Sequence, residues 1–182
     1  DFKGIYYMPK IIKSSKLGDA AVLKQIINIL EKEKIKTLNS NKFTPEISLP
    51  KGNYTTIKPN ISDKKDIRCG EKALKKSGNF SFVQGAICRN NKVVAFEGSS
   101  GTQKMIKKVK KISKAPNGIL IKFPKKKQDL RVDLPTIGLE TLKQCKTAGL
   151  KGIVLKHKLN IFLNKRQSVK YANRNKMFII IK

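Results

Sequence analysis

Apolar positions along this chain recur with two different periods, and the alternation predicts where helices and strands fall. In GDAAVLKQIINILEKEKIK, Val22, Leu23, Ile26, Ile27 and Leu30 share one face of a 3.6-residue repeat, with Asp19 placed as N-cap or first-turn acid. The spacing predicts a helix there. From Asn39 to Asn60 the repeat is lost and Pro45, Pro50, Gly52 and Pro59 punctuate the chain, the pattern of a linker between domains. Next, DKKDIRCGEKALKKSG predicts a helix stopped by Gly78, and FSFVQGAICRNNKVVAFEG predicts two strands joined by a turn at Arg89-Asn90-Asn91. SSGTQKMIKKVKKISK reads as a loop entering a helix, and GILIKF as a short buried strand. PTIGLETLKQCKTAG reads as a helix ending at Gly149, with Pro135 in its first turn and the Thr136 hydroxyl at its start. GIVLKH and NIFLN, a helical KRQSVKYANRN and a last strand MFIIIK complete the chain. Strands and helices mixed in this way predict an α/β (mixed α+β) domain, a mostly buried sheet with flanking helices.

The charge changes that picture only in part. The 182 residues carry 41 Lys plus Arg against 12 Asp plus Glu, a formal net charge of +29, which first suggests a nucleic-acid partner. Yet five arginines, Arg68, Arg89, Arg131, Arg166 and Arg174, leave 36 of the 41 basic residues as lysine, which lacks the bidentate fork that reads bases and phosphates. Aromatic residues are 7% and offer no stacking platform, so no nucleic acid is expected. Two denser lysine runs, 104–114 and 124–128, read as solvated faces or as attraction to phosphates or an acidic lipid surface. Cys69, Cys88 and Cys145 lack metal-ligand spacing and read as small buried hydrophobes, and His157 reads as a satisfied histidine at a strand end. No run approaches the roughly 20 apolar residues of a membrane span, and no secretory leader pattern is present, so the chain reads as soluble.

One stretch departs from the lysine background. QDLRVDLPTIG places two of the six aspartates, Asp129 and Asp133, around Arg131 between a strand and a helix. The structural reading makes Asp133 a helix cap and pairs Arg131 with Asp129 at the surface. The chemical reading adds Lys122 and Gln128 just upstream. Carboxylate, arginine, lysine and helix-start amides are what a phosphate ester with a hard divalent cation requires, and they suggest phosphoryl or nucleotidyl hydrolysis.

The run ILIKFPKKKQDLRVDLPTIGLETLKQCKTAGLKGIVL resembles the C-terminal domain of the LpxI-type UDP-2,3-diacylglucosamine pyrophosphatases, whose hallmark reads KxPKxxQDxRVDLPTIG followed by AGLAGI. SLPKG, DIRCGEKAL, VQGA, VVAFE and Gly101-Thr102 extend the resemblance in order, and GDAAVLKQ is similar to the end of the family's N-terminal domain. The glycine-rich opening of that domain is missing, which fits an artificial start at Asp1. The resemblance implies residues 1–45 as the remnant of a nucleotide-fold-like N-terminal domain, 46–60 as linker and 61–182 as the catalytic domain. It further implies a cytoplasmic enzyme, peripheral to the inner membrane, that uses Mg2+ and water to cleave UDP-2,3-diacylglucosamine to UMP and 2,3-diacylglucosamine 1-phosphate (lipid X) in lipid A synthesis. A homodimer is a possible state. The family's essential aspartate falls on Asp133. Lys122, Gln128, Arg131, Thr136, Gln84 and Thr102 are then expected at the substrate, and Asp133, Asp129 and Glu97 at the metal. A basic module binding nucleic acid or an anionic surface, and a catalytically dead paralogue, are the alternatives. Three family acids are absent: Ala20 stands in GDDAL, and Ser100 and Gln103 in EGTD. If those acids hold magnesium, metal affinity is expected to fall. Ser81-Phe82-Val83-Gln84 replaces DVGQ.

Overall fold

A computed structural model describes residues 2–39, 42–47, 49–77, 83–109, 115–125 and 128–182. Three β-branched or aliphatic runs, too apolar to face water on either side, build the centre of the sheet: β4 (Ile119–Lys122), β6 (Gly152–Leu155) and β8 (Phe178–Ile181). These three run parallel, with Ile119 opposite Gly152 and Gly152 opposite Phe178. The hairpin β2 (Gly85–Arg89) and β3 (Lys92–Phe96) adds antiparallel to β4, and β1 (Gly52–Asn53) adds antiparallel to β8. The six strands therefore lie in the order β1-β8-β6-β4-β2-β3. Asn90 and Asn91 take φ of 50° and 60° at the hairpin turn, as the expected Arg-Asn-Asn connection requires.

Side chains alternate across this sheet. Cys88, Ile119, Ile121, Val154 and Phe178 meet Ile67 of α3 (Ile61–Lys76) on one face. Ile87, Leu120, Ile153, Leu155 and Ile179 meet the other face's helices, α4 (Gly101–Lys108), α5 (Leu139–Thr147) and α6 (Lys165–Arg174). Helix α3 starts at a capping box. The Asn60 side chain accepts from the Asp63 N–H, while the Asp63 carboxylate accepts from the Asn60 N–H. Gly152 is required by a close approach, since a Cβ there would sit 2.3 Å from the Phe178 ring.

Two more helices, α1 (Phe2–Ser15) and α2 (Asp19–Lys32), pack against each other as a hairpin. Tyr7 Oη donates to Glu33 Oε1 at 2.7 Å, and Lys3 pairs with the same carboxylate. Helix α2 is the one predicted, with Asp19 as its first-turn acid. Helix α1 was not legible, because Gly4 and Pro9 interrupt its pattern.

The punctuated 39–60 segment holds a 3-10 turn (Pro45–Ile47) and strand β1, and the Tyr54 N–H extends the ladder to Ile179 O at 3.0 Å. The expected stop at Gly78, the Phe80–Phe82 start of the first hairpin strand, the 110–114 end of the lysine-rich helix and Lys126-Lys127 lie outside the described residues. One expectation is corrected. The helix does not begin at Pro135, because Thr136–Ile137 form a short strand, β5, parallel to β7 (Ile161–Phe162). Ile161 N–H and Leu163 N–H donate to the Pro135 and Ile137 carbonyls, so that backbone is committed to pairing and α5 starts only at Leu139.

Candidate functional site

Lys122 is the last residue of β4, at the carboxyl end of the three parallel strands, where open α/β sheets place their ligands. Its ammonium is buried, with the residue only 4% exposed, and lies 3.2 and 3.3 Å from the two oxygens of Glu97. Glu97 follows β3, is 2% exposed, and is fixed by its own N–H donating to Gly85 O at 2.8 Å. Room for it depends on Gly85, where a Cβ would stand 2.4 Å from Glu97 Oε2. Thr102, in the first turn of α4, donates from Oγ1 to Glu97 Oε1 at 2.8 Å and accepts from Lys122 Nζ. Gln84 Nε2 donates to the same Glu97 oxygen at 3.4 Å. Burial pushes the Lys122 pKa down, and the Glu97 carboxylate opposes that shift; Lys125 lowers it further and the nearby Asp133 charge raises it.

Gln128 stands at the far side of this cluster in sequence, with Oε1 accepting from the Lys125 N–H at 2.9 Å. Its Nε2, and Gln84 Oε1, are buried without a hydrogen-bond partner among the described residues. One buried donor and one buried acceptor are thus left open, whereas buried polar atoms are ordinarily paired.

Asp129 organises the loop that follows. Its Oδ1 accepts from the Arg131 N–H at 3.0 Å, and its main-chain carbonyl accepts from the Asp133 N–H at 2.9 Å. The Arg131 guanidinium grips the Asp129 carboxylate through Nε (3.0 and 3.2 Å) and Nη2 (2.7 Å), holding that carboxyl below its ordinary range. Nη1 of the same arginine donates to Glu31 Oε1 of α2 at 2.6 Å. Asp133 is half-buried, and its carboxylate has no hydrogen bond or ion pair among the described residues. Thr136 is exposed and donates to its own Leu134 carbonyl at 3.2 Å.

The structure therefore brings Lys122, Glu97, Thr102 and Gln84 into one cluster and places Asp129 with Arg131 in another. Asp133 is the carboxylate left open near Lys122. The expected helix-start amides are not beside it, since α5 begins at Leu139. Of the three expected metal ligands, Glu97 is committed to Lys122 and Asp129 to Arg131; among the described residues no three His, Cys, Asp or Glu side chains converge on one point. Sequence reasoning missed Glu31, which is 100 residues from Arg131 and sits in a helix with no motif of its own.

Such a site defines a mixed α/β domain with a cation and an open carboxylate at the carboxyl edge of a parallel sheet. The family model "LpxI C-terminal domain" matches residues 50–180. UDP-2,3-diacylglucosamine pyrophosphatase LpxI of Caulobacter vibrioides is 32% identical over 161 residues, 85% of this chain and 58% of that relative. The chain belongs to the LpxI family through its C-terminal domain, and it spans 58% of the length of that relative.

Proposed function

We propose that the chain hydrolyses the diphosphate of UDP-2,3-diacylglucosamine, releasing UMP and 2,3-diacylglucosamine 1-phosphate at the inner-membrane surface where an acylated substrate resides. The observation that carries this reading is Asp133, a carboxylate without a hydrogen bond or ion pair among the described residues, whose charge acts on the buried Lys122 ammonium in the matched domain. Lys122, pinned by Glu97 and Thr102, supplies a fixed positive charge for the diphosphate in a water-poor setting, where it counts for more than it would in solvent. The open Gln128 Nε2 donates to a phosphate oxygen, and the open Gln84 Oε1 accepts from the nucleotide sugar. Asp133 orients the attacking water and takes its proton as the oxygen bonds to the α-phosphorus and the bond from that phosphorus to the bridging oxygen breaks. Asp133 would be the protein carboxylate that holds a magnesium ion, its oxygens being the donor type such a hard cation takes. When bound, that ion neutralises charge developing on the phosphates. Arg131 contributes by shaping the loop, since each of its three guanidinium nitrogens already donates to Asp129 or Glu31.

Hydrolysis in 18O-labelled water tests the chemistry. Label in UMP is expected. Label in the sugar phosphate contradicts attack at the α-phosphorus, and UMP binding without turnover identifies a catalytically dead relative.

A further inference from the structure

We infer that Glu31 of α2 is a positioning residue for the loop that carries Asp133, so that the helical hairpin at the start of the chain sets the geometry of the candidate site. The inference rests on reading residues 128–136 as the site loop. Lys24, Ile27 and Glu31 stand at i, i+3 and i+7, and so share one face of α2. Ile27 is the buried residue of that helix. Both charged members of this face act on the loop: Glu31 accepts from Arg131 Nη1 at 2.6 Å, and the Lys24 charge helps to lower the Asp129 carboxyl.

Geometry gives the contact its leverage. Arg131 is planar and its fork is rigid, so fixing Nη1 on Glu31 also fixes the direction in which Nε and Nη2 present themselves to Asp129. Asp129 in turn accepts the Arg131 and Asp133 N–H groups, which places the Asp133 backbone. A chain of hydrogen bonds thus leads from α2 to the open carboxylate: Glu31, Arg131, Asp129, Asp133. The pair is partly exposed, with side chains 38% and 45% accessible for Arg131 and Glu31. An isolated surface pair of that exposure contributes little, but here one arginine bridges two carboxylates in a network, the arrangement in which such pairs matter. Helix α1 packs against α2, and its Lys3 and Tyr7 hold Glu33 just past the end of α2, so a shift of the hairpin is carried to Arg131 as a unit.

Amide hydrogen exchange on the full chain tests this without needing turnover. Glu31→Gln is expected to speed exchange of the Arg131 and Asp133 amides about two- to fivefold, the size of a partly exposed pair, while β4 and α5 amides keep their protection. In an Arg131→Ala background, Glu31→Gln is expected to add nothing. Unchanged loop exchange in Glu31→Gln, or the same increase with Arg131 already removed, overturns the inference. Glu31→Gln is also expected to lower kcat for UMP release more than it raises KM, with Glu31→Asp giving partial recovery. If exchange responds as expected but the wild-type chain releases no UMP, the hydrolase reading fails and the positioning role stands.

Discussion

At the scale of single residues, the decisive contrast is between two buried polar groups that satisfy each other and one carboxylate that is left open. Lys122 and Glu97 are both nearly inaccessible, and each is tolerable only because the other is there. Glu97→Gln strands a buried ammonium and is expected to cost about 3–5 kcal/mol in urea unfolding. Glu97→Gln combined with Lys122→Met removes the stranded charge and is expected to recover most of that loss; a neutral Glu97→Gln would show that the pair is not buried in solution. Asp133 has no such structural partner among the described residues, so its value to the fold is small. Which carboxylate would stay open was not legible from QDLRVDLPTIG. The motif shows two aspartates and an arginine, and only the folded loop shows that Arg131 closes on Asp129 and leaves Asp133 without a side-chain partner among the described residues. Glu97 is named on its residue chemistry and Thr102 on the family resemblance, yet nothing in VVAFE or SSGTQ tells that the two turn inward onto Lys122.

At the scale of elements, the strands were the most legible feature. ILIK, GIVL and FIII are continuous apolar runs, which a parallel sheet buried on both faces demands. The helix expected from Pro135 was displaced because Thr136 and Ile137, both β-branched, found a partner strand 25 residues away in Ile161–Phe162, a non-local pairing that no local pattern reports. The same limit hid the link between α2 and the site loop. That loop carries a pH signature. Arg131 holds the Asp129 carboxyl below its usual value, so the folded state binds a proton there less readily than the unfolded chain does. The stabilisation is therefore complete above the unfolded value near ~3.9 and is lost as pH falls through the lower folded value. The difference in melting temperature between the wild type and Asp129→Asn is expected to stay constant from about pH 8 to 5 and to shrink below about pH 4. A difference that grows on acidification would contradict the Arg131 contact.

For the whole molecule, the +29 charge is the loudest feature of the sequence and the least specific. Among the described residues no helix is long and apolar enough to cross a membrane. Two of the five arginines have internal duties. Arg89 donates to the Asn117 and Ala148 carbonyls, and Arg131 holds the site loop. A hydrolase and a basic binding module would share the surface charge, but only the hydrolase needs the open carboxylate. The most direct measurement is therefore UMP release from UDP-2,3-diacylglucosamine by Asp133→Asn in magnesium, read together with its unfolding free energy. Asp133→Asn is expected to lose roughly 10²- to 10⁴-fold in turnover, as removal of a general base does, with stability within about 0.5 kcal/mol of the wild type. Equal turnover by the wild type and Asp133→Asn would contradict the account.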